Sequence, residues 1–273
     1  MLAAAHEMNE QQFLFLQQLL TDRTGIRFRG RDHLAIKLSR RLRCLGLSDY
    51  DRYIALIRRE PDELAHAIEA VTTNETFFFR DAIHFSALEQ YMGKQFDAKR
   101  EFRIWSTASS SGEEAYSIAM TVHAWAAARG LPLHTLKITG SDIDRSVLRH
   151  AVEGIYHRWQ IERTPADYRT FLLRHLEQGG EDFFSIKPHI RSMVRFKRFN
   201  LTEPIPFIGT LDVIFCRNVF MYFSQDLRNE IFTGMHRALK PGGLLVMGLC
   251  EPLPASLLLG FTSMGHAMYV KTE

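Results

Sequence analysis

Three carboxylates stand where a parallel sheet would present them to a ligand. Glu113 and Glu114 follow Gly112 directly, at the end of FRIWSTASSSGEE (102–114), and Asp142 ends the apolar segment LKITGSD (136–142). In the first stretch an apolar run (Phe102, Ile104, Trp105) gives way to small residues, then to glycine, then to a helix-like segment. A strand, a small-residue turn, a helix and a second strand tipped by an acid is how Rossmann-like sheets hold an adenosine. The turn admits the ligand close to the backbone, and the acid accepts hydrogen bonds from ribose hydroxyls. A dinucleotide would need GxGxxG to wrap its pyrophosphate, and a nucleoside triphosphate would need GxxxxGK[ST]. Neither occurs, and the charges of Glu113 and Glu114 would repel phosphate. An adenosine compound without phosphate, bearing ammonium and sulfonium groups, fits better, which points to S-adenosylmethionine. The competing reading makes Glu113, and less readily Glu114, a first-turn acid stabilised by the helix dipole.

Elements must hold these residues in place. From about residue 100 the chain alternates strands (Phe102–Thr107, Leu136–Ser141, Met193–Phe199, Leu211–Cys216, Gly243–Gly248) with helices (Glu113–Ala128, Arg145–Val152, Gln225–Leu239). Lys240-Pro241-Gly242-Gly243 is expected to close the last helix. Such alternation implies a parallel sheet with helices on both faces. Phe261–Val270 is expected to add an antiparallel pair, and about 158–191 to form an inserted small subdomain with a helix and a hairpin. Residues 8–85 read as helical: Phe13, Leu16 and Leu20 recur at helical spacing, a second helix stops at Gly46, Ser48 caps a third, and Pro61-Asp62 opens a fourth. The expected fold is α/β: a helical N-terminal domain with its linker (1–85), then a Rossmann-like domain (86–273).

The chain has 273 residues, 46% of them hydrophobic and 24% charged, which suits a globular protein with a proper core. No apolar run is long enough to span a bilayer, and no signal segment opens the sequence, so the expected location is the cytoplasm without membrane insertion. Three scattered cysteines fit a reducing compartment. The twelve histidines show no metal-ligand spacing, and no metal is expected. Charge is concentrated between Arg23 and Arg43, where eight Arg and Lys face Asp32 alone. Such a patch attracts an acidic partner, whether nucleic acid, membrane or protein.

Five motifs in order, VTTNETFFFRD (71–81), WSTASSSGEEAYS (105–117), SDID (141–144), FNL (199–201) and IFCRNVFMYF (214–223), resemble the CheR-type chemoreceptor glutamate O-methyltransferases. The helical first domain, the basic RRLRCLGL segment (40–47) and the insertion extend the resemblance over nearly the whole chain. It implies methyl transfer from S-adenosylmethionine, leaving S-adenosylhomocysteine, to glutamate carboxylates of the chemoreceptor cytoplasmic helical bundle. Carried over by residue, it sets Asn74, Thr76 and Arg80 at the methionine end and the methyl group. Glu114 would hold the amino group, Asp142 the ribose, and Asn200 and Leu201 the adenine. Arg217 and Asn218 would close the pocket floor, with Tyr222 beside the methyl. The catalytic pair would be Arg80 and Tyr222. Lys37, Arg40, Arg41 and Arg43 would dock the receptor, and the insertion could bind a receptor C-terminal peptide; the expected state is a monomer that binds no nucleic acid. The chain departs from the family pattern at Ala115 and at Cys250-Glu251-Pro252.

Carboxylate methylation needs no general base, since a glutamate of pKa ~4.3 is already ionised at neutral pH. The absence of an obvious catalytic histidine is therefore no obstacle. Arg80 could instead cap a helix, Tyr222 could be ordinary core, and the basic helix a solvated face. Two rival functions remain open: a nucleic-acid methyltransferase gripping phosphates through the basic helix, and a non-catalytic cofactor-sensing scaffold. Against the first, CRNVFMY (216–222) lacks the Asn/Asp-Pro-Pro-aromatic run that holds an amino group in many base-methylating enzymes.

Overall fold

The computed structural model describes residues 7–253, 257, 258 and 260–272. The chain divides into two compact units, one reaching to Thr73 with Tyr222–Arg228 added, the other Asn74–Met221 with Asn229–Glu273. The division falls ahead of the expected boundary at residue 85, because the NETFFFR segment packs with the sheet domain.

The first unit holds α1 (Glu10–Thr24), α2 (Arg31–Cys44), α3 (Tyr50–Arg59) and α4 (Pro61–Val71). Asn9 and Gln12 form a capping box at the start of α1, and Gly25 ends it in the left-handed conformation with φ 73°. Asp49, rather than the expected Ser48, caps α3; its carboxylate accepts from the amide of Arg52, and Ser48 Oγ donates to it instead. A carboxylate so placed also complements the helix dipole. Leu16, Leu20, Leu34, Leu38, Leu42, Tyr53 and Ala67 are fully buried and form the apolar seam.

Two of the four basic residues expected to dock a partner hold this bundle together. Lys37 donates through Nζ to the carbonyl of Thr72 and to Thr73 Oγ1, both at 2.7 Å, fastening α2 to the end of α4. Arg41 makes a two-pronged ion pair with the buried Glu63, Nε to Oε1 at 2.8 Å. Arg40 and Arg43 are exposed.

The second unit is built on a seven-stranded sheet of order β6-β2-β1-β7-β8-β10-β9. Its strands are β1 (Phe102–Ser106), β2 (Leu136–Asp142), β6 (Val194–Arg198), β7 (Leu211–Cys216), β8 (Leu239–Met247), β9 (Phe261–Gly265) and β10 (Met268–Lys271). The first five pair in parallel, and β9 and β10 are antiparallel, as expected. The helices are α5 (Ile83–Gln95), which sequence reading missed, α6 (Glu113–Ala127), α7 (Arg145–Glu153) and α11 (Gln225–Ala238), the last beginning in the first unit. A smaller antiparallel sheet, order β3-β5-β4, comes from β3 (Ile155–His157), β4 (Leu176–Gln178) and β5 (Phe183–Ile186), with α8 (Arg158–Glu162), α9 (Ala166–Arg174) and α10 (Pro188–Arg191). The insertion thus begins at Ile155, slightly before the expected residue 158.

One local expectation fails for a clear reason. Lys240-Pro241-Gly242-Gly243 lies inside β8 instead of capping α11. Leu211 pairs with Leu239 but Val213 with Leu244, so the extra residues bulge out, with Gly242 at φ 74°. Lys240 Nζ then pairs with the buried Asp212 at 2.7 Å. Among the described residues no helix is long and apolar enough to cross a membrane.

Replacing Arg41 with Met is expected to destabilise the chain by roughly 3 kcal/mol in urea unfolding, because Glu63 would stay buried and unpaired. The exposed Arg40→Met should stay within about 0.5 kcal/mol of wild type.

Candidate active site

In the order β6-β2-β1-β7 the chain winds outward on one side of β1 and then crosses to β7 on the other, and ligands of open α/β sheets bind at the carboxyl ends of strands at such a switch point. Ser106, Asp142, Asn200 and Arg217 stand at or just beyond the carboxyl ends of β1, β2, β6 and β7.

Asp142 is buried at the tip of β2, and the loop after β1 folds onto it. Its Oδ2 accepts from the amide of Ser110 at 2.9 Å, and its Oδ1 from the amide of Asp144 at 3.0 Å. Each oxygen retains a lone pair for a ligand hydroxyl. Burial pushes its pKa up to about 6, while the two amides oppose the rise and the Asp144 charge adds to it. Asn74 joins this cluster, donating through Nδ2 to Asp144 Oδ2 at 2.7 Å and accepting at its carbonyl from Ser110 Oγ at 3.0 Å. Asn200 and Leu201 follow β6, and the Phe199 amide donates to the carbonyl of Asp142.

Gly112 has φ 98°, yet its bareness serves packing more than ligand approach. A Cβ there would lie 2.9 Å from Ala151 Cβ and 3.0 Å from the Tyr156 hydroxyl. The two acids after it diverge. Glu113 is buried, accepts from Ser111 Oγ and from Gln160 Nε2 of α8, and has its pKa raised by burial. Glu114 accepts from Ser106 Oγ at 2.7 Å and pairs with Arg217 Nη1 at 2.9 Å.

Arg217 gathers three segments. Besides Glu114, its Nη2 donates to Asp81 Oδ2 at 2.6 Å and to the carbonyl of Arg80 at 2.7 Å, with the side chain 1% exposed. The NETFFFR segment is anchored alongside: Phe79, fully buried at φ 56°, stacks on Tyr168 at 4.7 Å and meets Phe85 edge-on. Arg80 follows, its Nη1 donating to the Glu75 carbonyl at 3.0 Å and its guanidinium lying 5.8 Å from the Phe77 ring centroid. Thr76 lies on the same loop. Asn218, at φ 59°, donates its amide to Glu251 Oε2 at 2.6 Å, and the Met221 amide donates to Oε1 at 2.9 Å. Tyr222 belongs to the first unit, where its carbonyl accepts from the amide of Arg27.

Sequence reasoning missed Asp81, Ser110, Asp144, Gln160 and Glu251. Asp81, Ser110 and Asp144 lay inside quoted motifs, next to or near residues that were chosen; Glu251 lay in the Cys250-Glu251-Pro252 run, noted only as a departure from the family pattern, and Gln160 had no local signal. The donor set suits S-adenosylmethionine. Carboxylates accept from ribose hydroxyls and an ammonium group, and they would repel a pyrophosphate. Thr107 Oγ1 and Ser109 Oγ, on the loop after β1, are buried without hydrogen-bond partners among the described residues.

A hydroxyl donated to Asp142 favours its ionised form, so cofactor affinity is expected to fall as pH drops through about 6, by up to tenfold per pH unit. Asp142→Asn should weaken binding and remove this dependence, leaving the raised Glu113 carboxyl as an internal control; calorimetric titration from about pH 5 to about pH 8 checks both. The same shift works against the free protein, whose stability is expected to decline as pH rises from ~4 to about 6.

Family comparison agrees with this geometry. A family described as "CheR methyltransferase, SAM binding domain" matches residues 74–269, and "CheR methyltransferase, all-alpha domain" matches residues 11–72. The chain is 36% identical to a chemotaxis protein methyltransferase of Escherichia coli and 34% identical to one of Salmonella typhimurium; each alignment covers 97% of this chain and 92% of the relative. It is also 39% identical to chemotaxis protein methyltransferase 2 of Pseudomonas aeruginosa, over 79% of this chain and 76% of that one. With both domains matched in order and relatives aligned over nearly their full length, the chain belongs to the CheR methyltransferase family.

Proposed function

We propose that this chain methylates glutamate side chains of chemoreceptor helices, using S-adenosylmethionine and giving glutamate methyl esters. The observation that carries the reading is the pair of carboxylates at the carboxyl edge of the sheet, Asp142 at the tip of β2 and Glu114 in the first turn of α6, in a chain of this family. When bound, S-adenosylmethionine supplies a methyl group activated by its sulfonium.

The chain's own residues have little proton chemistry to do, because the acceptor carboxylate is already a nucleophile. Their task is orientation and exclusion of water, and well-oriented reactants can gain roughly 7–11 kcal/mol. Asp142 would hold the ribose and Glu114 the amino group, with Asn200 and Leu201 against the adenine and Asn74 and Thr76 near the methionine end. Arg217 pairs with Glu114 and aims it, and Asn218 shapes the floor beside it. Arg80, braced on Phe77 and Glu75, has guanidinium donors left to align the substrate carboxylate as a planar fork. Tyr222 takes its role beside the methyl group from the resemblance alone. Carboxylate and sulfonium lose charge together as the bond forms, so a dry pocket favours the step.

Receptor docking narrows to Arg40 and Arg43, since Lys37 and Arg41 are held inside the helical unit. A receptor tail peptide would add as a strand at an edge of the β3-β5-β4 sheet. The enzyme would act as a monomer in the cytoplasm, where its product, a neutral ester on an acidic helix, shifts a signalling equilibrium.

Radiolabelled methyl transfer to membranes bearing chemoreceptors should give label released as methanol in mild alkali; alkali-stable label would refute the ester. Arg80→Lys is expected to cut turnover about tenfold or more while cofactor binding changes little; equal losses in both would make Arg80 a cofactor ligand only. Reversing Arg40 and Arg43 together to Glu should raise the KM for receptor and leave cofactor affinity unchanged, and an unaltered KM would remove them from the docking surface.

A further inference from the structure

Three histidines distant in sequence converge within the second unit, apart from every residue given a role above. His123 lies on α6, His175 directly follows α9, and His189 lies on α10. A ring nitrogen of each lies within 4.8 Å of one from both others. Ring centroids are 4.9 Å apart for His123 and His189, and 5.7 Å for His123 and His175. Burial is graded, with His175 buried, His123 half-buried and His189 exposed.

Histidine rings packed inside proteins ordinarily satisfy their nitrogens with a carbonyl, a carboxylate or water. Here Nδ1 of His123 is buried without a hydrogen-bond partner. The nearby polar groups are engaged elsewhere: Lys187 Nζ donates to the Arg174 carbonyl, and the carbonyl of His175 accepts from the Lys187 amide. Imidazoles brought together, one of them with a buried nitrogen that no protein group meets, are what a transition metal ion requires. Among the described residues no carboxylate belongs to the cluster, which disfavours magnesium and calcium, ions that select oxygen. Nitrogen ligands alone suit zinc and its neighbours.

The dimensions agree. Tetrahedral zinc with Zn–N bonds of ~2.0–2.1 Å sets its ligand nitrogens about 3.3 Å apart. Closing from 4.8 Å takes about 1.5 Å of movement, shared between rotation of the exposed His189 side chain and a smaller adjustment of the His123 and His175 rings. Three protein ligands leave a fourth position for water.

We propose that His123, His175 and His189 form a binding site for a zinc-class divalent ion that fastens the inserted subdomain to α6. Two ligands come from the insertion and the third from the helix whose first turn carries Glu113 and Glu114. An ion there braces α6 from the side opposite in sequence to its acids.

The test uses the tag-free, metal-depleted full chain. Titration with Co2+ should give one equivalent bound, with the strong visible bands of tetrahedral cobalt, displaced by Zn2+. His189→Ala, at an exposed position with little risk to folding, should lower affinity at least tenfold, and His123→Asn likewise. Zn2+ should raise the melting temperature of wild type and leave that of His189→Ala unchanged. Failure of wild type to bind either ion, or unchanged affinity in His189→Ala, would overturn the site. Binding without any rise in melting temperature would overturn its fastening role.

Discussion

A guanidinium taken out of water fixes much of the second unit. Arg217 is held between Glu114 and Asp81 with the carbonyl of Arg80 as a third acceptor, and almost none of it reaches solvent. Desolvating such a charge costs several kcal/mol, recovered only when geometry is good; here both terminal nitrogens are met, while Nε is buried without a hydrogen-bond partner among the described residues. Satisfying it therefore specifies where three segments must lie: the end of β7, the first turn of α6 and the turn after NETFFFR. The planar fork tolerates little error in angle, which a lysine would allow. Strain follows from this demand. Phe79 and Asp81 both adopt positive φ, an uncommon state for a bulky aromatic; aromatic packing holds Phe79 and the ion pair with Arg217 holds Asp81.

A second organising effect is the sorting of acids by environment. Glu113 and Glu114 are neighbours in sequence with different fates: one is sealed against Gln160 and Ser111, the other is drawn to Arg217. Asp142 sits between these extremes, buried enough to resist ionisation and surrounded by amides that favour it. A cofactor carrying positive charge meets acceptors, while a phosphate would meet carboxylates. The choice of ligand is thus written into the charge of the strand tips rather than into the glycine turn, whose Gly112 makes room for Ala151 and Tyr156.

What could be read in the sequence was what is encoded locally. β1, the Gly112 turn, α6 and the acid ending β2 follow from hydrophobic period and small-residue spacing, so Asp142 and Glu114 were accessible before any coordinates. Helix ends were less so, because Ser48 and Asp49 both have capping side chains and only packing chose Asp49. The Lys240–Gly243 run carries the composition of a helix stop, but a bulge within a strand uses the same residues. Features that need distant partners were silent: Glu63 under Arg41, Glu251 under Asn218, and the histidines at 123, 175 and 189, whose spacing follows no ligand rule. The basic helix shows the limit most clearly, since charge counted in sequence does not tell a structural ion pair from a free one.

The place of β10 has a consequence for how the chain is made. It is synthesised after β9 yet lies between β9 and β8, so β9 reaches the sheet only as the outer arm of a hairpin. Until that hairpin docks, a nascent chain presents β8 as an unpaired edge whose Leu244–Met247 stretch is wholly apolar and destined for burial. Bare edges of this kind seek strands from neighbouring chains. Ribosomes stalled before residue 261, or transcripts cut short there, would therefore release a product prone to edge-to-edge aggregation even though every residue named at the strand tips had already been translated.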